Sequence, residues 1–318
     1  MRKFQLLALL ATTIGVAAIA SSAGAQEAEV IKVPGFADFL AVDGKTVWIT
    51  NKGRVEQWSR QSGSKGGKLA EVPMKRPCGA MAIAAGSLWL ADCEEKAVKR
   101  IDVKTAKLIA TIPSGIASSG ELNVVAGDGS VWVASDNEKG LVARIDPATN
   151  SVVASIPVDP GTWYLTYGFG AVWAVSAPAQ SLQRIDTATN TVTAKIPVGK
   201  EPGFLAAGEG GVWVQEQGDG TVARIDPATN AVSGRIKVGD NLKWGDIDTG
   251  AGKVWLRTTD DQVFAVIDPR AMTVEGRFGK AAGSGALRWT KAGVWTSAHD
   301  EQTLTWWPKA SVKAKASQ

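Results

Sequence analysis

His299 is the only histidine of the chain and the first residue whose chemistry could define a function. An imidazole titrates near neutral pH, which suits a general base. The residue stands in the polar run His299-Asp300-Glu301, however, and a lone histidine in such a loop is more often a solvated surface residue. His299 is therefore the one catalytic candidate, with a surface role as the alternative.

Carboxylates recur in the first half of the chain, at Asp38, Asp92, Glu94, Glu121 and Asp136. Oxygen ligands of this kind suit magnesium or calcium. No Asp-x-Asp-x-Asp-Gly spacing is present, and carboxylates this far apart are mostly solvated. We expect no metal centre and no cofactor, with magnesium or calcium relevant only if the protein is an enzyme.

The sequence lacks the motifs of several enzyme classes. It contains no Ser-His-Asp arrangement, no Gly-x-Ser-x-Gly elbow, no phosphate-binding glycine loop and no Cys-x-x-Cys pair. Its 35 glycines fall mainly at predicted strand ends, where turns need them.

A repeat organises the elements that must position these side chains. An apolar-Trp segment after a small-residue turn recurs every 40 to 43 residues, at Trp48, Trp89, Trp132, Trp173, Trp213, Trp255 and Trp295. Four repeats continue with Arg-Ile-Asp, and two of these with the turn Asp-Pro-Ala-Thr-Asn, at 146–150 and 226–230. Asp opens such a turn, Pro fixes φ, and Asn tolerates a left-handed conformation, so we predict a bulged hairpin.

Each repeat contains four short predicted strands, which in the fifth repeat cover 204–207, 212–215, 222–226 and 232–238. Tandem four-stranded antiparallel sheets of about 40 residues are typical of propeller blades. The fold class is therefore all-β, a seven-bladed β-propeller. The last repeat stops after three strands, so we predict that the N-terminal segment from Glu29 to Val33 supplies its fourth strand and closes the ring.

The Val-Trp-Val segments and the Arg-Ile-Asp-Pro-Ala-Thr-Asn run resemble bacterial YVTN-type propellers and, more loosely, virginiamycin B lyase-like propellers. The resemblance covers about Glu29 to Pro308. Lyases of that kind use a pair of histidines with a glutamate and a magnesium ion, as the resemblance implies. This chain has one histidine, and Ser297 stands where a Glu-x-His pairing would place its glutamate.

Departures from the repeat mark a candidate binding surface on the rim formed by loops that enter the inner strands. Ten or eleven residues before the repeat tryptophans most blades use small residues, but Trp163, with Tyr164 beside it, and Trp244 stand there instead. Exposed aromatic side chains supply contact area for a ligand. The alternative is that they fill the channel or a gap between blades.

Charged residues also depart from the repeat in the last two blades. Seven residues before the tryptophan, small or uncharged side chains give way to Asp248 and Arg288, and Asp246 lies nearby. We expect an ion pair between neighbouring inner strands, serving either the fold or a polar ligand. We also expect His299 to lie close to Asp246 and Arg288.

The two cysteines fall within one predicted hairpin. A two-residue turn at Ala85-Gly86 places Ala82 opposite Trp89 and, in the same register, Cys78 opposite Cys93. We predict a structural disulfide, with a redox-active pair as the alternative.

The chain ends carry their own predictions. Residues 1–25 read as a signal peptide, with Arg2 and Lys3, an apolar run too short to span a bilayer, and a small-residue cleavage site before Gln26. Its loss would leave a net charge of only +2, which favours no nucleic-acid partner. We predict a periplasmic or secreted protein without a membrane span, a propeller domain over 26–308, and a flexible basic tail over 309–318.

Together these features favour a monomeric, non-catalytic propeller that binds an envelope protein or a small molecule at the channel rim. The alternative is a virginiamycin B lyase-like or lactonase-like enzyme acting on a cyclic ester.

Overall fold

The structure is a computed structural model that describes residues 28–60, 67–116, 120–240, 242, 245–258, 263–309 and 312. The predicted signal peptide, Trp244 and the predicted tail apart from Lys309 and Val312 lie outside the described residues.

The described residues form a chain of short strands with one 3-10 turn at Gln217–Asp219. In chain order the strands are β1 Glu29–Lys32, β2 Leu40–Asp43, β3 Thr46–Asn51, β4 Arg54–Ser59, β5 Gly67–Pro73, β6 Ala82–Ala84, β7 Ser87–Asp92, β8 Ala97–Asp102, β9 Leu108–Pro113, β10 Val124–Gly127, β11 Ser130–Asp136, β12 Leu141–Asp146, β13 Ser151–Pro157, β14 Thr162–Gly168, β15 Ala171–Ser176, β16 Ser181–Asp186, β17 Thr191–Pro197, β18 Pro202–Gly208, β19 Gly211–Glu216, β20 Thr221–Asp226, β21 Ala231–Lys237, β22 Ile247–Gly250, β23 Lys253–Arg257, β24 Phe264–Asp268, β25 Thr273–Phe278, β26 Leu287–Thr290, β27 Gly293–Ala298 and β28 Thr303–Pro308.

These strands form seven four-stranded antiparallel sheets arranged as a ring, which confirms the predicted all-β, seven-bladed propeller. Blades one to six each use four consecutive strands, from β2–β5 to β22–β25. Blade seven has the order β1-β28-β27-β26, so its outer strand comes from the N-terminal segment, as predicted. Ile31 pairs with Leu304, and the Val33 N–H donates to the Gln302 carbonyl at 2.8 Å.

The repeat tryptophans belong to the hydrophobic core, and each is no more than 7% exposed. In blades two to six the indole Nε1 donates to the carbonyl five residues earlier, as in the 3.0 Å bond from Trp89 to Ala84. That bond satisfies the one polar atom of a buried indole and ties the tryptophan strand to the turn before it. The recurring tryptophan therefore builds the blade and does not belong to a site.

The arginine of the Arg-Ile-Asp motif joins neighbouring blades. The Arg144 guanidinium lies over the Trp132 ring, 4.8 Å from its centroid, and donates to Asn190 Oδ1 of the next blade at 3.0 Å. Asn190 adopts φ +56, the left-handed conformation that was predicted for Asn150 and Asn230 and that both of them adopt. The Asn side chain thus accepts a hydrogen bond across blades in addition to shaping its own turn.

Arg100 and Arg184 make the same contact, with Asn150 and Asn230. Blade six has Met272 at the corresponding position, and a thioether offers no comparable acceptor. Arg224 of blade five accordingly donates to Gly210 O of its own blade at 2.9 Å. One residue change in the repeat thus removes one link between blades.

In the part of the chain that the structure describes, no helix is long and apolar enough to cross a membrane.

Candidate functional site

His299 lies where blade seven meets blade one, in the turn that follows β27. Its Nε2 is 3.1 Å from Asp300 Oδ1, and its Nδ1 is 3.6 Å from Asp38 Oδ1. The imidazole stacks on the Phe36 ring with centroids 4.1 Å apart, and 17% of the side chain is exposed. No described atom lies within hydrogen-bond distance of the buried Nδ1. The histidine is therefore partly enclosed and not a freely solvated loop residue.

Carboxylates set the protonation of His299. Burial alone would lower the pKa of its imidazole, but the Asp38 and Asp300 carboxylates outweigh that effect and raise the pKa above its usual value of 6.5. Glu121 adds to the negative potential. A raised pKa favours the protonated imidazolium near neutral pH.

Glu121 belongs to the same cluster, on the entry loop of blade three. Its Oε2 accepts a hydrogen bond from the Tyr164 hydroxyl at 2.9 Å. Burial raises the pKa of Glu121, and the nearby Asp38 carboxylate adds to the increase, against the opposing effect of the Tyr164 hydrogen bond. Burial and the same carboxylates hold the pKa of Tyr164 well above 10.0, so its hydroxyl remains a donor.

These groups line a cavity of about 400 Å³ at the channel mouth, formed by Phe36, Asp38, Phe39, Glu121, Tyr164, Phe204, Gln217, Ser284, Gly285, His299 and Asp300. Four aromatic rings contribute to its wall, and the Tyr164 and Phe204 centroids are 4.2 Å apart. An adjoining cavity of about 680 Å³ shares Phe36, Asp38, Phe39, Glu121 and Tyr164. Space of this size, with aromatic walls and a few convergent polar groups, suits a small-molecule ligand.

The aromatic candidates on the rim have different positions. Tyr164 lines both cavities, and Trp163 is partly buried in the wall of the larger one. The Trp163 ring packs over Gly120, where a Cβ would approach it to 2.6 Å, so it covers the backbone next to Glu121. Trp244 lies outside the described residues.

The expected ion pair is present with a different partner. Arg288 pairs with Asp246, while Asp248 Oδ2 accepts the Trp289 backbone N–H at 2.8 Å. All three charged residues line a separate channel cavity of about 270 Å³. The contacts of His299 are with Asp38 and Asp300, whereas we expected Asp246 and Arg288. Ser297, near the end of β27, donates to the Asp38 carbonyl of the blade-one entry loop, so the turn after β27 that carries His299 faces blade one.

Two of the remaining carboxylates hold turns together. Asp92 Oδ1 accepts the backbone N–H groups of Glu94 and Glu95, and Asp136 Oδ1 accepts those of Glu138 and Lys139. Glu94 lines the larger cavity. The sequence did not distinguish these turn residues from Asp38 and Glu121, since all five follow or precede predicted strands.

The residues present do not fit a magnesium centre. Across the described ranges, no three His, Cys, Asp or Glu side chains are grouped closely enough to ligate a metal ion. The Nε2 of the lone histidine already faces Asp300. We therefore derive no chemical step through a metal.

Cys78 and Cys93 form a disulfide with Cα atoms 6.0 Å apart, as predicted. The register argument behind that prediction was wrong at this end of the hairpin. Ala82 does pair with Trp89, but the ladder then shifts by two residues, so that Pro77 bridges Asp92 and the Cys78 N–H donates to Ala91 O. Cys78 lines the larger cavity, and Cys93 Sγ lies 3.2 Å from Gly120 O, so the disulfide braces the wall beside Glu121.

Sequence reasoning overlooked part of the aromatic wall. Phe39, Tyr164 and Phe204 each lie nine residues before a repeat tryptophan, where other blades carry Ala, Asn or Asp. The aromatic signal was therefore readable from the aligned repeats, although its convergence with His299 was not.

Known proteins share this architecture. A solved structure described as "Streptogramin B lyase structure" superposes with a TM-score of 0.73 at 14% sequence identity, covering 88% of this chain and 96% of that one. The Kuenenia stuttgartiensis hydrazine synthase structure superposes with a TM-score of 0.70 at 16% identity, covering 88% and 97%. No family model matches the chain, and no curated protein matches it in sequence.

The fold thus defines a seven-bladed β-propeller similar to streptogramin B lyase-like structures. At these identities the likeness concerns the fold alone. It adds nothing on the YVTN family.

Proposed function

We propose that this propeller binds a small-molecule ligand in the mouth cavity between blades one, three, four, five and seven, without turnover. The observation that carries the proposal is the convergence of four aromatic rings with Asp38, Glu121 and His299 around a space of about 400 Å³ that opens into a larger one. Ligand sites commonly combine apolar walls with a few placed polar groups.

Phe36 offers a direct test, because it lines both cavities and its side chain is 48% exposed. Phe36→Ala should leave the fold intact while removing a wall of the site. Phe169→Ala is the matched control, since Phe169 is 43% exposed and lines neither cavity.

The experiment is a thermal-shift screen of a chemically diverse library, with hits titrated by calorimetry. We expect Phe36→Ala to weaken binding at least about tenfold, or about 1.4 kcal/mol, and Phe169→Ala to leave it unchanged. A screen without hits, or hits indifferent to Phe36→Ala, would refute the proposal.

A second candidate is cleavage of a cyclic ester, as a lyase or a lactone hydrolase. The enclosure of His299 with two carboxylates favours it, because groups with displaced pKa values often carry acid–base chemistry. The raised pKa of His299 disfavours its action as a base near neutral pH, because it favours the protonated imidazolium.

Turnover of macrocyclic esters and small lactones, followed by mass spectrometry, tests the second candidate. If His299→Gln abolishes turnover but retains ligand binding, the non-catalytic proposal is wrong. If the wild type turns over none of these esters, the enzyme candidate is excluded for that substrate class.

We further propose that the protein is exported, acts in the periplasm or outside the cell, and binds an envelope protein. The disulfide supports an oxidising compartment. Intact-mass analysis of the native protein should show a chain beginning at Gln26, and affinity purification from envelopes should retain a specific envelope protein. Purification without one would contradict the partner.

A further inference from the structure

The mouth cavity is acidic as well as aromatic. Its described lining residues include the carboxyl groups of Asp38, Glu121 and Asp300 and contain no lysine or arginine. Arg257 interacts electrostatically with Asp38 and Asp300, but its guanidinium is fully buried and donates to backbone carbonyls such as Gly283 O at 2.6 Å. Even with His299 protonated, three carboxyl groups face one imidazolium, so negative charge exceeds positive charge around the space that a ligand would occupy.

Two of these carboxyl groups are largely shielded from water and pair with no lysine or arginine among the described residues. Asp38 is 8% exposed, and the atom that faces it is His299 Nδ1, 3.6 Å away and without a hydrogen bond. Glu121 accepts only the neutral Tyr164 hydroxyl among the described contacts. Buried carboxylates are costly unless a positive charge compensates them, so the cavity favours a cationic guest.

The walls suit one kind of cation. The Phe39, Tyr164 and Phe204 rings form a connected group, with centroid distances of 6.2 Å and 4.2 Å along it. Phe36, a fourth ring in the wall, stacks on His299. Ring faces attract alkylammonium groups through the aromatic quadrupole and also contact their methyl groups, whereas a small metal ion gains less from such walls.

The adjoining cavity differs in charge. Lys52, Lys75 and Arg76 line it together with Glu94 and the shared Asp38 and Glu121, so its positive and negative side chains are equal in number. A cation has less reason to remain there, so the two cavities would orient a ligand with its positive end toward Asp38 and Glu121.

Resting on the ligand-binding function proposed above, we infer that the inner cavity takes the alkylammonium head of an organic cation, held between aromatic rings and the Asp38 and Glu121 carboxylates. The rest of the ligand extends into the larger cavity toward Trp163.

The test compares choline with 3,3-dimethylbutan-1-ol, which has the same shape without the charge, by calorimetry on the mature protein. Choline should bind at least about tenfold more tightly than the neutral alcohol. Asp38→Asn and Glu121→Gln each remove a charge without changing shape, and each should weaken choline binding at least about tenfold. Glu121→Gln keeps an acceptor for the Tyr164 hydroxyl.

Asp128→Asn is the matched control, because Asp128 is an exposed turn residue with φ +51 that lines neither cavity, and asparagine tolerates that conformation. It should leave choline affinity unchanged. Melting temperatures of the ligand-free variants check that all three remain folded, and if either charge-removing variant unfolds, choline competition with magnesium on the wild type decides instead.

Equal binding of choline and its neutral isostere, or no loss in Asp38→Asn and Glu121→Gln, would overturn the inference. Displacement of choline by millimolar magnesium or calcium would also overturn it, in favour of a divalent ion. In each of these cases the ligand-binding proposal would still stand if uncharged compounds from the thermal-shift screen bind the wild type and bind Phe36→Ala more weakly. Loss of those hits as well would refute both.

Discussion

The titration of His299 can be followed directly, because no other histidine signal is present. The Asp38 and Asp300 carboxylates should hold its pKa above 6.5, as measured by NMR of the imidazole carbons over pH. Asp38→Asn removes one of these charges and should lower the pKa, while Asp128→Asn should not. An unchanged pKa in Asp38→Asn would contradict the geometry of the site.

The same shift links His299 to stability. A pKa raised in the folded state means that the folded protein binds the proton more tightly than the unfolded chain. The contribution of His299 is therefore complete below pH 6.5 and is lost as the pH rises through its folded-state pKa. Urea unfolding across this window should show a smaller pH-dependent loss for Asp38→Asn than for the wild type.

At the scale of single positions, the aligned repeats contain an aromatic signal as well as the tryptophan signal. Phe39, Tyr164 and Phe204 occupy the same position of the repeat, and that shared position alone predicts that their side chains lie at the same level of the propeller. Asp92 and Asp38 look alike in sequence, yet one caps a turn and the other faces a cavity. Side-chain direction at a loop depends on backbone dihedrals that residue type alone does not specify.

Between elements, the arginine links across blades should contribute measurably to stability. Arg144 donates to Asn190 and to Thr187 O of the next blade, whereas Arg224 donates only within its own blade among the described contacts. Arg144→Gln should cost about 1 kcal/mol more than Arg224→Gln in free energy of unfolding, because hydrogen bonds from charged donors are worth more than neutral ones. Equal losses in urea titrations would show that the contact across blades adds nothing.

The disulfide acts on one hairpin and on the wall beside it. Replacing both cysteines, as Cys78→Ser with Cys93→Ser, should lower the free energy of unfolding by about 3 kcal/mol, since the bond closes a loop of about 15 residues. Guanidinium titration without reductant measures the loss. Two free thiols by mass spectrometry of the wild type, or unchanged stability of the double variant, would contradict this role.

For the molecule as a whole, the closing strand β1 should hold blade seven together. Ile31 and Val33 are 5% and 0% exposed, and each buried aliphatic side chain contributes about 1.5–3 kcal/mol. A chain beginning at Pro34 should therefore unfold at lower temperature than one beginning at Glu29, and the β28 amides should exchange faster. Identical melting curves would contradict closure through β1.

Closure also bears on the site. The Val33 N–H and the Lys32 Nζ donate to the carbonyls of Gln302 and Glu301, in the turn that carries His299. Loss of β1 should thus weaken ligand binding as well as stability, although β1 itself lines neither cavity.

The sequence by itself determined the blades. Tryptophan spacing, period-two strands and Asp-Pro-Ala-Thr-Asn turns are local patterns, and they were sufficient for the blade number and the closing strand. The cysteine pairing was correct, although the register from which it was predicted was not. Only the tertiary structure decided that His299 lies beside Asp38, which is distant in sequence, and that Arg288 pairs with Asp246. It also decided that the hairpin register shifts by two residues between Ala82 and Cys78. These contacts depend on the tilt of each blade and on the closure of the whole ring, and both arise from packing summed over seven sheets rather than from any local run of residues.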